Sequence, residues 1–200
     1  MFPADRWSGV AIAVRRVRPS RWSRCSSSNS NTTKKVEGHT LSIEGKANQL
    51  SQMVRNHLPA AMQGLAVVPI FAGYDRRRGR GRLWAFDVTG GRYEEEDYVA
   101  SGSGSLHARS VIKLGHRQAQ DESAAVDLVI HALYNAADED SATGGPDSMR
   151  GIYPIIAVIN GDGYHEVAEA EISQRFDAIV ANLAELRSGA GSASSGEAHS

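Results

Sequence analysis

Cysteine is almost absent from the chain. Cys25 is the only one in 200 residues, which excludes an internal disulfide framework and a cysteine-built zinc site. Long apolar runs are missing as well: no stretch reaches the roughly 18 apolar residues that a membrane-crossing helix needs. Gly9 to Val14 is too short for the apolar region of a signal peptide, and no small-residue cleavage site follows it. Aromatic residues make up only 6% of the chain. What is present, 41% hydrophobic and 22% charged residues with a mean hydropathy of −0.35, suits one globular domain of ordinary size.

The net charge of −1 conceals an asymmetry. Residues 1–35 hold eight Lys and Arg against the single acid Asp5, a net +7. The other residues carry the remaining 14 basic and 22 acidic groups, a net −8. The first 35 residues, rich in Arg and Ser and without sustained periodicity, read as a basic segment without a packed core. Their composition also suits a transit peptide or an arm that meets phosphate charge.

From residue 36 onward regular patterns begin. Ile43, Ala47, Leu50, Val54 and Leu58 recur every three or four residues, an amphipathic helix that Pro59 ends. Leu65–Ala72 is an apolar run of strand length, moved toward a sheet edge or bulge by Pro69. Leu83–Val88 alternates like a strand, Thr89-Gly90-Gly91 turns, and Tyr93–Ala100 returns, so an antiparallel meander is expected. Helices follow over Ser105–Leu114 and around Val126, Val129, Ile130, Leu133 and Ala137, the second favoured at its start by Asp121 and Glu122. After a polar loop over 138–150 come strands over Ile152–Ile159 and Tyr164–Ala168. A helix through Ile172, Phe176, Ile179, Val180 and Leu183 completes the pattern, and a low-complexity tail occupies 189–200. Runs of strands and runs of helices give an α+β class.

Several stretches invite chemistry. Ser101-Gly102-Ser103-Gly104-Ser105 stands where a strand hands over to a helix. It is either a tight turn or a place where backbone N–H groups meet an anion. It lacks the third glycine of a dinucleotide fingerprint and the spacing of a nucleophile elbow. The loop Asp138–Asp147 collects carboxylates and hydroxyls without calcium-loop spacing, and an Asp there can orient a nucleophile from elsewhere. Arg76 to Arg82 reads as an exposed hairpin loop, since no aromatic residue interleaves its arginines. His131 reads as a helix-face residue and Glu94–Asp97 as a solvated strand.

Four motifs in register, Ala60-Ala61-Met62-Gln63-Gly64-Leu65, Ala72-Gly73-Tyr74-Asp75, Gly102-Ser103-Gly104-Ser105 and Asp140-Ser141-Ala142-Thr143-Gly144-Gly145-Pro146-Asp147, resemble the actinobacterial-type proteasome β subunit. The resemblance covers about Val36 to Gly189. It implies part of a four-layer αββα sandwich of the N-terminal-nucleophile hydrolase type, with a domain over 36–188. It implies the family's reaction, threonine-type endopeptidase cleavage of polypeptides. A mature N-terminal threonine attacks the peptide carbonyl and its own α-amino group serves as base. By motif, Ser103, Asp140 and Thr143 resemble the family's supporting serine, aspartate and hydroxyl residue. The family's nucleophile, its Asp and Lys partners, two strands and a helix belong ahead of Val36. Thr32 and Thr33 leave no room for them, so the expectation is a chain truncated at its front and inactive alone. The family also implies a cytoplasmic protein with no cofactor and no metal. Its partners are proteasome α and β subunits in heptameric rings and a regulatory ATPase. A non-catalytic docking subunit is the alternative, and a nucleic-acid-binding module through the basic arm the weaker one.

Overall fold

The computed structural model describes residues 1–14, 41–118, 120–147 and 149–192. Ser42 begins helix α1 (Ile43–Asn56) by accepting the Gly45 N–H at 3.1 Å, and Ile43, Ala47, Leu50 and Val54 make its buried stripe. A single short turn, α2 (Leu58–Met62), takes Pro59 near its start, where a missing N–H costs nothing.

The main sheet is a five-stranded antiparallel meander in chain order: β1 (Phe2–Asp5), β2 (Ser8–Val14), β3 (Val67–Asp75), β4 (Arg80–Phe86) and β5 (Arg92–Glu95). Val10 faces Phe71, and Phe71 faces Trp84. The two-residue period of a strand sends these residues and Phe86 to one face, against Ile43, Ala47 and Leu50 of α1. Phe71 and Trp84 lie with ring centres 5.5 Å apart, and both are almost fully buried.

The opposite phase of β3 includes Ile70, Ala72 and Tyr74, half-buried residues of the other face. The hairpin of β6 (Ala157–Asn160) and β7 (Gly163–Glu166) meets the main sheet there. A Cβ at Gly161 would stand 3.6 Å from the Tyr74 hydroxyl, and the Tyr164 N–H donates to the Arg6 carbonyl at 2.6 Å. Gly163 has φ +128°, and a Cβ on it would lie 2.8 Å from that same carbonyl, so only glycine suits this junction.

A second core unites Val126 and Ile130 of α4 (Glu122–Glu139), Ile156, and Ile172 of α5 (Glu169–Ser192). Phe176 seals it edge-on against Tyr134 and Tyr153. A third cluster is built of Ala108 in α3 (Ser105–Gly115) with Ala132 and Ala136 of α4, small residues that let two helices approach closely.

The α+β class holds, with four corrections of detail. Residues 2–14 belong to the sheet and not to a coreless segment. Val10 is 6% exposed, and Ala4 and Ile12 pack against the core. Of the eight basic residues before position 36, only Arg6 lies in this described part, so the charge excess belongs to residues 15–35, outside the described residues. Second, β3 is internal to the sheet. Pro69 is tolerated because it pairs with Ile12 of β2 while the ladder to β4 begins one residue later, at Ile70. Third, of the expected strand over 152–159 only 157–159 falls in a paired strand, Ile152 makes an isolated bridge to Asp147, and Ile152 and Ile155 are exposed. Helix α5 also runs through 189–192, which was expected in the tail.

Candidate functional site

The glycine-serine stretch ends in the turn that starts α3, and the acidic loop leaves the C-terminal end of α4. Packing of α3 on α4 brings the two together. At their meeting point Asp140 accepts hydrogen bonds from the hydroxyl of Ser103 and from Thr143 Oγ1, the latter at 2.5 Å. Its other oxygen takes the Ala142 N–H at 3.2 Å. The loop is held by its own backbone, with the Thr143 N–H donating to the Asp140 carbonyl at 2.9 Å. Gly104 is required by space: a Cβ on it would sit 2.7 Å from Thr143 Oγ1 and 3.1 Å from the Ala136 methyl.

These bonds set the charge of the site. The Ser103 hydroxyl first, then the Thr143 hydroxyl and the Ala142 amide, hold the Asp140 carboxyl below the usual carboxylate range, and the nearby His107 acts in the same direction. A hydroxyl that donates to a carboxylate turns its lone pairs outward, so Ser103 and Thr143 can each accept a proton from a third group. Ser103, Asp140 and Thr143, expected from motif alone, thus stand together. Thr32 and Thr33 lie outside the described residues.

Other candidates resolve differently. Arg82, expected in an exposed loop, is 7% exposed inside β4. Its guanidinium forks onto Glu94 with two bonds of 2.7 Å, donates to Glu44 at 2.7 Å, and lies 3.5 Å from Asp75. It also stacks 4.8 Å from the Trp84 ring centre. Glu94, expected as solvated strand, is an exposed residue of β5 that also pairs with this guanidinium. A sequence signal for this existed: Arg82 is in phase with Trp84 and Phe86, so an alternating strand must bury it. The second missed cluster is Asp5, which accepts from Ser8 Oγ at 2.6 Å and from the Trp7 N–H at 3.0 Å and pairs with Lys46 of α1. The Lys46 and Ser8 bonds outweigh burial and hold the Asp5 carboxyl down. Among the described residues no group of three or more His, Cys, Asp or Glu side chains is placed to hold a metal ion, and no helix is long and apolar enough to cross a membrane.

The sequence profile of the family described as "Proteasome subunit" matches residues 20–150, a span that contains all three residues of the cluster. The chain belongs to the proteasome subunit family. Among curated proteins it is similar to proteins named "Proteasome subunit beta". That of Acidimicrobium ferrooxidans is 52% identical over 174 residues, 87% of this chain and 64% of the relative. That of Streptomyces griseus is 49% identical over 174 residues, 87% and 62%. That of Jonesia denitrificans is 46% identical over 180 residues, 90% and 60%. The chain therefore spans a little over three-fifths of the length of these proteasome relatives.

Proposed function

We propose that the chain is a β-type subunit of a proteasome core, and that Ser103, Asp140 and Thr143 are the supporting groups of a threonine-type endopeptidase site. The observation that carries this reading is the carboxylate that binds two hydroxyls at once, on a chain of this family. Asp140 stays ionised at neutral pH and fixes both hydroxyls. Their lone pairs then receive and return the proton that an N-terminal amine passes between nucleophile and leaving group.

On this reading the described helices and sheets are part of a four-layer αββα sandwich. Its outer layers are α1 on one side and α3, α4 and α5 on the other, within a domain over 36–188 joined by the strands of 2–14. The subunit assembles in the cytoplasm with α and β subunits in heptameric rings, acts on polypeptides, and is served by a regulatory ATPase. The 200 residues alone are inactive. Thr89 and Thr143, the threonines among the described residues, are internal, and their nitrogens are amides donated to Asp87 and to the Asp140 carbonyl. Neither nitrogen can be the free amine that the reaction needs.

Three measurements test this. Co-expression with a proteasome α subunit is expected to give one particle containing both chains, and separate elution of the two overturns the subunit reading. The purified chain is expected to leave a fluorogenic peptide uncut, whereas inhibitor-sensitive turnover overturns the inactivity. A particle that forms without turnover is also what a non-catalytic docking subunit would give. Restoring turnover by supplying a subunit that carries the nucleophile separates the two.

A further inference from the structure

Arg6 and Trp7 form the turn between β1 and β2, and Arg76 stands in the turn between β3 and β4. The chain brings the two turns together. Both guanidinium groups lie over the Trp7 ring, Arg6 at 4.9 Å and Arg76 at 4.5 Å from its centre. Trp7 is held at three points. Its backbone N–H donates to Asp5, its backbone carbonyl accepts the Tyr74 N–H at 2.8 Å, and the indole Nε1 donates to the Gly161 carbonyl at 3.4 Å. We propose that this arginine–tryptophan clasp docks an acidic peptide segment of a partner protein.

Charge carries the argument. Arg78, Arg82, Arg150 and Arg175 each face a carboxylate within 4 Å. Arg6 and Arg76 are exposed, and among the described residues no carboxylate forms an ion pair with either. Their positions over one ring set them at most about 9 Å apart, within the range at which like charges repel at low salt. A carboxylate set between them removes that repulsion. Stacking on the indole holds each planar fork in advance, so little side-chain freedom is lost when a carboxylate binds.

The surrounding charge selects the ligand. The chain after residue 35 is net −8. A short acidic segment that meets the two guanidinium groups alone avoids most of that like charge, whereas a continuous phosphate backbone would run onto it.

The test uses fluorescence anisotropy of a labelled hexaglutamate with the full chain at low salt, beside hexaglutamine and oligothymidylate. Hexaglutamate is expected to bind, and to be lost as salt shortens the electrostatic range. Arg76→Glu is expected to weaken it roughly tenfold, with Arg6→Gln acting in the same direction. Arg92→Glu, at the far end of the sheet, is expected to leave it unchanged. Circular dichroism identical to the parent verifies that the variants fold, and Arg76→Gln replaces Arg76→Glu if it does not. Absence of hexaglutamate binding, binding indifferent to Arg76, or tighter binding of oligothymidylate overturns the proposal.

Discussion

Asp87 shows how much one side chain can hold. From the end of β4 it accepts the Thr89 N–H at 2.8 Å, the Thr89 hydroxyl at 2.7 Å, the Gly91 N–H at 2.8 Å and the Tyr93 hydroxyl at 3.0 Å. The Thr89 hydroxyl and the Gly91 amide lead in bringing its carboxyl down to about 2. A carboxyl lowered in the folded state stabilises the fold above its ordinary value and ceases to do so as pH falls through the lowered one. Asp87→Asn should therefore cost about 1 kcal/mol near neutral pH. The cost should shrink between about pH 4 and about pH 2, read as converging denaturation midpoints of parent and variant. In the sequence Asp87 is legible only as the outward residue of a strand before a Thr-Gly-Gly turn. Which donors it gathers is a matter of how the turn closes. The same holds at Asp140: motif placed it with Ser103 and Thr143, but no spacing rule states that both hydroxyls reach one carboxylate.

Elements with sustained apolar periodicity were readable to within a few residues, because the stripe and the buried face are one thing seen twice. Phase was less secure. In α4 the pattern of Val126, Val129, Ile130 and Leu133 leaves open which side is deepest. The fold buries Val126, Ile130, Ala132 and Ala136 and leaves Val129 40% exposed. Ile130→Ala should thus cost about 3 kcal/mol, by cavity formation between α4 and α5. Val129→Ala should stay within about 0.5 kcal/mol, both measured by urea unfolding. The strands of residues 2–14 were missed for a physical reason. Neither can bury its face alone, and the partner that supplies the other half of the ladder lies beyond residue 66. A charge count over 1–35 then blended an ordered hairpin with the basic residues that follow it.

At the scale of the whole molecule, composition and element order sufficed for an α+β class. They did not show that α1 and the β6–β7 hairpin occupy opposite faces of one sheet. That arrangement depends on contacts between residues far apart in the chain, such as Tyr164 with Arg6. One of these long connections has a consequence in time. The β3–β4–β5 meander closes through short turns, whereas β2 pairs with β3 across a span from residue 8 to residue 73. Closing the larger loop loses more chain entropy before any contact compensates, so β2 should dock after the meander has formed. Stopped-flow refolding tests the order. Val10→Ala should mainly speed unfolding, while Phe86→Leu should slow refolding, and a refolding rate equally sensitive to both would refute it. Since Arg6 and Trp7 travel with β2, the arginine clasp is then a late product of folding. A nascent or partly folded chain presents no such surface, and an acidic partner would engage only finished subunits.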